Sequence, residues 1–301
     1  MSRAVLLVSH GTVDDLDDLP GFVTNVRRGH PAPPELVAEL RRRYEAIGGS
    51  SPLNRINAEV AAKLAAALGV PVAWANRLWR PTVDEVLSRL ARDGATHVAL
   101  VPLAQHSAHV YAEDARRAAQ TAGLSVTLRC ASNWGQRPDL CAAFARRIGQ
   151  ALEGLERART TVVMTAHSLP RSVVQRGDPY EREVRASAEA IAKLLGPDLR
   201  WTLAFQSQGM SDVPGGWLGP DLPTTIADVA ARGDAAIVFA PVGFLADHVE
   251  ILYDLDIEAA RIARGKGLRY ARARSLDADA DLVDVLAGVA RPLLEGADGH
   301  G

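Results

Sequence analysis

The chain contains 301 residues, of which 48% are hydrophobic and 23% charged. This composition is typical of a globular protein with one large domain or two domains of about 150 residues. The net charge of −2 gives no overall field that would attract nucleic acid or an anionic membrane. The sequence shows no apolar run long enough for a membrane helix and no recognisable signal peptide. Its two cysteines, Cys130 and Cys141, are too few for a four-cysteine cluster. We therefore expect a cytoplasmic protein.

Short apolar and β-branched runs alternate with helical stretches along the whole chain. The runs predict strands at Ala4–Val8, Pro71–Ala75, His97–Val101, Ser125–Cys130, Thr160–Met164, Arg200–Phe205, Ala235–Ala240 and Leu268–Ala271. First-turn prolines and terminal glycines help to predict helices at Pro34–Ile47, Pro81–Ala91, Pro138–Leu152, Pro179–Leu195 and Val249–Ala263. This alternation is typical of parallel sheets that are covered by helices on both faces.

The two halves of the chain share local signatures. The first strand of each half ends near a histidine, His10 or His167, and the third strand of each half runs into a proline that is followed seven residues later by His109 or His248. We therefore predict an α/β protein of two doubly wound, Rossmann-like halves, residues 1–155 and 156–301, each with a four-stranded parallel sheet. Ligands of such sheets bind at the carboxyl ends of the strands, so the site is expected in a cleft between the halves.

An acidic row forms the clearest chemical pattern. Glu250, Asp254 and Glu258 recur every four residues, which places them on one face of a helix, and no Lys or Arg between Pro241 and Ala260 relieves their repulsion. Apolar residues between them indicate a packed segment, so the row suggests a path for a divalent cation. The alternative is a solvated helix face, which is what most charge runs are.

His167 follows a predicted strand of the same half. A histidine at this edge can act as a base near neutral pH or bind a metal, although a hydrogen-bonded structural histidine is equally common. In the first half, arginines at positions 27–28 and 41–43 offer planar guanidinium groups for a carboxylated ligand, or form a solvated surface. The stretch from Gly48 to Leu53 supplies a flexible turn with hydroxyl groups, which suits an anionic group.

Several motifs at these positions resemble those of ferrochelatases, and they occur in the family's order over essentially the whole chain. They are Arg43-Tyr44-Glu45-Ala46-Ile47-Gly48-Gly49-Ser50-Ser51-Pro52-Leu53, His167-Ser168-Leu169-Pro170, Gly177-Asp178-Pro179-Tyr180, Phe205-Gln206-Ser207 and Pro241-Val242-Gly243-Phe244-Leu245-Ala246-Asp247-His248-Val249-Glu250. The segment Val26–Gly29, taken with the stretch from Arg43 to Gly49, is most similar to bacterial coproporphyrin III ferrochelatases.

The resemblance implies a chelatase-like fold and the insertion of Fe²⁺ into a porphyrin, coproporphyrin III or protoporphyrin IX, in haem biosynthesis. It implies His167 and Glu250 as the catalytic pair and His167, Glu250, Asp254 and Glu258 as metal-binding residues. Porphyrin contacts are implied for Arg27, Arg43, Tyr44 and Ser51, and for His10, which stands where close relatives carry a tyrosine. Fe²⁺ is then a substrate, and no iron–sulfur cluster or other prosthetic group is expected.

Two other functions remain open from the sequence. The start Ser9-His10-Gly11-Thr12 is similar to smaller chelatases of sirohydrochlorin-type rings, although a substrate with eight carboxylates would call for more basic residues. A non-catalytic haem or metal carrier could use His10 as an axial ligand but would not need both the His167 base and the acidic row. We expect a monomer that binds porphyrin and Fe²⁺, not nucleic acid. The stretch 16–34 is a candidate apolar lip for peripheral membrane contact.

Overall fold

Two parallel sheets of four strands each organise the computed structural model, which describes residues 2–209 and 213–296. The first sheet contains β1 (Ser2–Ser9), β2 (Val72–Asn76), β3 (Ala95–Pro102) and β4 (Thr127–Cys130), in the order β2-β1-β3-β4. The second contains β5 (Thr160–His167), β6 (Arg200–Gln206), β7 (Ala236–Ala240) and β8 (Arg269–Arg272), in the equivalent order β6-β5-β7-β8. Each predicted strand overlaps an observed strand, and the predicted α/β architecture with two four-stranded parallel sheets is confirmed.

Helices connect the strands in both sheets. They are α1 (Leu19–Val26), α2 (Pro34–Ala46), α3 (Leu53–Leu68), α4 (Val83–Arg92), α5 (Ala108–Thr121), α6 (Pro138–Ala151), α7 (Arg171–Gln175), α8 (Tyr180–Leu195), α9 (Leu222–Ala231), α10 (Val249–Tyr253), α11 (Ala260–Gly265) and α12 (Ala280–Glu295). Short 3₁₀ turns occur at Leu16–Asp18 and Arg157–Arg159. In the part of the chain that the structure describes, no helix has the length and apolarity to cross a membrane.

The central strands are apolar because they are covered on both faces. From Ala4 onwards β1 is buried, and β5 is buried from Thr160 to Ala166, as expected for parallel strands between helical layers. Local signals fix the helix ends: Thr82 and Glu85 form a capping box at the start of α4, and Gly69 ends α3 with a left-handed conformation at φ +68°.

The chain divides into two compact units that differ from the predicted halves. One unit comprises Met1–Trp134 and Asp277–Gly301, and the other comprises Gly135–Leu276, whereas the sequence placed the boundary at residues 155/156. The difference lies in two helices: α6 packs on α8 and β7, and the last helix, α12, packs on α3 and β3. The apolar stripe of α12 therefore returns the end of the chain to the first unit.

One helical prediction and one prediction about the surface need correction. The helix predicted over Val249–Ala263 is interrupted, because a π-helical segment, Asp254–Ala259, separates α10 from α11. In the stretch 16–34, Leu19 and Val23 are buried and belong to the core, so they do not contribute to an apolar lip. Val26, by contrast, is 45% exposed.

Candidate functional site

The second sheet brings its chemical groups together at the carboxyl ends of β5 and β7. From β5 the chain crosses to β6 on one side and later to β7 on the other, so the winding direction changes between β5 and β7. A doubly wound sheet opens a crevice at this point, where ligands bind. His167 is the last residue of β5, and the loop after β7 carries His248, which begins α10, and Glu250 in its first turn.

Two imidazoles face one carboxylate. Nδ1 of His167 donates to the carbonyl of Ser168 at 2.6 Å, and Nδ1 of His248 donates to the carbonyl of Ala246 at 3.0 Å. These bonds orient both Nε2 atoms towards Glu250, with His167 Nε2 3.6 Å from Oε1 and His248 Nε2 3.5 Å from Oε2. Backbone anchors of this kind fix ring orientation and tautomer, which prepares the other nitrogen for a proton or a metal.

The three groups shift each other's pKa values. Burial lowers the pKa of His167, but the Glu250 carboxylate, the Ser168 carbonyl and Asp254 outweigh it and raise the pKa to about 8. Burial likewise opposes the charged form of His248, and Glu250 nevertheless raises the pKa of its imidazole. Burial raises the pKa of Glu250, but the histidines hold it well below the ordinary value. At neutral pH the site therefore contains an ionised carboxylate beside an imidazolium at His167.

A glycine and a tyrosine position this part of the site. Gly243 donates its amide hydrogen to the Thr165 carbonyl at 2.9 Å, and a Cβ at Gly243 would come within 2.6 Å of Ala166. The loop after β7 can thus approach β5 closely only because residue 243 lacks a side chain. Tyr180 donates its hydroxyl hydrogen to the His167 carbonyl at 2.9 Å, and its own amide donates to the side chain of Asp178 at 2.9 Å.

The acidic row is present, but its members have different environments. Asp254 is buried and accepts a 2.6 Å hydrogen bond from the hydroxyl of Ser207, which has a left-handed φ of +59°. Glu258 is half-buried and no described hydrogen bond or ion pair involves it. The π-helical turn between them adds a residue to the turn, so the i, i+4 register of a continuous α-helix is not maintained. Within residues 2–209 and 213–296, no group of three or more His, Cys, Asp or Glu side chains is arranged to hold a metal ion.

In the first unit, His10 is exposed at the end of β1, and its Nδ1 lies 3.4 Å from the hydroxyl of Tyr111. Tyr44 is only 1% exposed, and its hydroxyl is hydrogen-bonded to Thr12 at 2.7 Å. Ser51 is also buried, with its oxygen accepting from the amide of Leu53 at 3.4 Å. Both side chains are held by internal hydrogen bonds, and the porphyrin contacts of Tyr44 and Ser51 stay predictions.

The two arginines predicted to bind substrate are partly exposed and oriented by local partners. Arg27 ends α1 and donates from Nε to the Pro31 carbonyl at 3.2 Å. Arg43 donates from Nε to Glu39 at 2.8 Å. Hydrogen bonds from Arg42, together with Arg43, lower the pKa of Glu39 to about 2 although burial opposes the shift, so Arg43 is paired with an ionised carboxylate at neutral pH.

Sequence reasoning included His248 in the repeat but did not count it among the site residues. Its signal was the His-x-Glu spacing with Glu250, which puts both groups at the start of one helix. Gln206 was quoted as a motif residue without a role, and its amide donates to the Glu250 carbonyl at 3.2 Å. The residues that hold this site are thus drawn from β5, β6 and the loop after β7.

Comparisons of the sequence with a family model and with individual proteins point to the same family. The family model described as ferrochelatase matches residues 2–293. A ferrochelatase of Herpetosiphon aurantiacus is 36% identical, covering 95% of this chain and 97% of that protein. The coproporphyrin III ferrochelatase of Geobacillus kaustophilus is 33% identical, covering 96% of this chain and 95% of the relative. Among solved structures, SirB from Bacillus subtilis with Fe³⁺ is similar with a TM-score of 0.62 at 16% identity, covering 100% of both chains, which supports the fold alone.

Proposed function

Because this chain belongs to the ferrochelatase family of haem biosynthesis, we propose that it inserts Fe²⁺ into coproporphyrin III. Ferrochelatases are lyases, and their reaction exchanges the two pyrrole protons of a porphyrin for one ferrous ion. The observation that carries the proposal is Glu250, whose two carboxylate oxygens face the Nε2 atoms of His167 and His248. This arrangement supplies a proton acceptor and a cation ligand within one cluster.

His167 is the base in the proposed reaction. Its raised pKa of about 8 means that the imidazole is largely protonated at pH 7 while Glu250 is ionised. Fe²⁺ that reaches Glu250 competes with the imidazolium for the same negative charge, so His167 releases its proton to solvent. The neutral imidazole then accepts one pyrrole proton as the ferrous ion passes to the ring nitrogens, and the Glu250 carboxylate, which the ion has left, accepts the second proton and passes it to solvent.

Asp254 and Glu258 extend the proposed route of the metal. Both lie after Glu250 on the same segment, and oxygen ligands of this type exchange a hard or borderline cation readily. Because these side chains do not form a closed cage, they would pass the ion on rather than store it. Fe²⁺ is a substrate of the reaction and no resident metal is assigned.

The choice of coproporphyrin III is supported by relatives and by charge. Four propionates surround coproporphyrin III, whereas protoporphyrin IX has two. Arg27 and Arg43 in the first unit are half-buried, which keeps part of each guanidinium accessible for pairing with propionates. We propose that His10 contacts the porphyrin as well, and that Tyr44 acts indirectly by holding Thr12.

The location and the oligomeric state of the protein are also part of the proposal. Cys130 and Cys141 are both free thiols, which supports a reducing, cytoplasmic location. We propose a monomer with porphyrin and Fe²⁺ as its ligands. A single elution volume in size-exclusion chromatography with light scattering tests the oligomeric state.

Anaerobic assays with Fe²⁺ test the function directly. Purified protein is mixed with coproporphyrin III, protoporphyrin IX or sirohydrochlorin, and metal insertion is followed by absorbance. We expect the highest kcat/KM with coproporphyrin III. A preference for protoporphyrin IX or sirohydrochlorin would overturn the substrate assignment, and haem binding without turnover of any ring would indicate a carrier.

A further inference from the structure

Two carboxylates of the acidic segment that carries the site form ion pairs with an arginine from outside the segment. The stretch between Pro241 and Ala260 contains no Lys or Arg, yet it holds five carboxylates, at positions 247, 250, 254, 256 and 258. The compensating cation for two of them comes from the adjacent strand β8. Arg272, the last residue of β8, extends its side chain to Asp247 and Asp256.

The guanidinium of Arg272 binds two carboxylates at once, and we call this arrangement the clamp. Arg272 donates to both oxygens of Asp256, from Nε at 2.6 Å and from Nη2 at 3.0 Å. It also donates to both oxygens of Asp247, from Nη1 at 3.0 Å and from Nη2 at 3.2 Å. The side chain of Arg272 is only 12% exposed, and such partly desolvated, bidentate pairs are both strong and directional.

The clamp joins two parts of the chain that the site depends on. Asp247 immediately precedes His248 in the loop after β7, and the hydroxyl of Ser275 also donates to it at 2.5 Å. Asp256 lies in the π-helical segment that follows α10. One guanidinium therefore fixes both ends of the short helix that presents Glu250, and Tyr270 of the same strand adds a hydrogen bond to the Leu255 carbonyl at 2.8 Å.

The ion pairs of Arg272 also divide the carboxylates by role. Among the described residues its ion pairs reach Asp247 and Asp256, whereas Glu250 is paired with the histidines and Asp254 accepts from Ser207. A loss of the cation would remove the ion pairs that Arg272 makes with two half-buried carboxylates of the segment. Their mutual repulsion would act on the loop that carries His248.

We propose that Arg272 is a positioning residue for iron insertion, which holds His248 and Glu250 in register with His167 by bridging Asp247 and Asp256. The expected effect of Arg272 on the rate of iron insertion rests on the proposed function. Its expected effect on the positions of the histidine rings can be measured without turnover. A point charge on a flexible stem cannot bridge two carboxylates in the same planar manner, so lysine is a poor substitute for arginine here.

The kinetic test compares Arg272→Met, Arg272→Lys and Asp256→Ala with the wild type. Removing groups that orient metal-handling side chains lowers activity by about 10–100-fold, and we expect this loss in Arg272→Met with a raised KM for Fe²⁺ and little change in porphyrin affinity. Arg272→Lys should recover only part of the loss. Arg269→Met is the matched control, because Arg269 lies on the same strand, is exposed and donates to the Gly154 carbonyl; it should retain wild-type kinetics.

The structural test uses long-range ¹H–¹⁵N spectra of the histidine rings in the protein without substrate. In Arg272→Met and Asp256→Ala the Nε2 signals of His167 and His248 should shift, whereas Arg269→Met should leave them unchanged. Unchanged signals and wild-type kinetics in a folded Asp256→Ala would overturn the proposal, even if Arg272→Met failed to fold. A wild type that inserts no metal would instead count against the proposed function, and the ring spectra would still decide the role of Arg272.

Discussion

At the scale of single residues, the site depends on how one carboxylate is shared. Glu250 raises the pKa of both neighbouring imidazoles, while each imidazole lowers the pKa of Glu250. The charge on any one of the three groups therefore depends on the other two. Because the ring orientations are fixed by backbone carbonyls, a change of charge does not require the histidines to rotate.

The first prediction concerns the protonation of His167. In Glu250→Gln the negative charge that raises the pKa is removed, whereas the burial that lowers it remains. The titration midpoint of His167, measured by NMR on its ring protons, should therefore fall below the wild-type value of about 8. Glu181→Gln, which changes a carboxylate paired with Arg185 on α8, should leave the midpoint in place. A midpoint unaffected by Glu250→Gln would contradict this electrostatic account.

The second prediction concerns the base itself. His167→Ala removes the proposed proton acceptor and should lower kcat by about 10²–10⁴-fold, the usual contribution of a positioned base. Porphyrin affinity, measured by fluorescence quenching, should be largely retained. His97→Ala, at the beginning of β3, serves as the control and should turn over normally. Near-normal turnover by His167→Ala would remove this residue from the mechanism.

At the scale of elements, the approach of the loop after β7 to β5 decides whether the site forms. The register of β5 with β7 ends at Met164 and Ala240, and beyond it the contact continues through Gly243. The π-helical segment after α10 is a second departure from regular structure in the same region, and such segments frequently occur at functional sites.

The third prediction tests this approach. In Gly243→Ala the new methyl group would lie 2.6 Å from Cα and Cβ of Ala166, so the loop must move away from β5. We expect a loss of about 1–3 kcal/mol in the free energy of unfolding, as for other overpacked positions, and a reduced kcat. Denaturant unfolding and the iron-insertion assay measure the two effects.

The control for that variant is Gly149→Ala in α6, where no atom lies within 4 Å of the added Cβ. Alanine is the better helix former, so this change should raise the free energy of unfolding by about 0.5–1 kcal/mol. If Gly243→Ala were as stable and active as Gly149→Ala, the close approach would not be needed for the site.

At the scale of the whole molecule, the last helix belongs to the first unit although it follows the second in the chain. Nine residues of α12 are buried, among them Leu282, Leu286 and Leu293, and the helix packs on α3 and β3. The order of the units along the chain is therefore not a simple succession of two halves.

The fourth prediction follows from this packing. Leu286→Ala leaves a cavity at a fully buried position and should lower the free energy of unfolding by about 2–5 kcal/mol. Hydrogen exchange should accelerate first in β1, β3 and α3, and not in β5–β8. Leu194→Ala, at a position that is 58% exposed, should change stability by less than about 0.5 kcal/mol. Faster exchange confined to the second sheet would contradict the assignment of α12 to the first unit.

Local sequence determined the strands, most helices and the family motifs. It also placed His167 and Glu250 correctly at the edge of one sheet, because strand ends of a parallel sheet share an edge whatever the details of packing. The repeat was less informative about chemistry. His248 faces Glu250, whereas the equivalent His109 lies in the first turn of α5, 3.5 Å from Asn133, and nothing in the repeated spacing distinguished the two.

The contacts that only the tertiary structure revealed join residues that are distant from each other in the chain. The burial of Tyr44 against Thr12, the clamp from Arg272 to Asp247 and Asp256, and the return of α12 to the first unit depend on contacts between separate elements. Periodicity and capping act over one or two turns of chain, so they fix the elements themselves. Which side chains then meet depends on packing, because burial and charge compensation are decided only where elements come together.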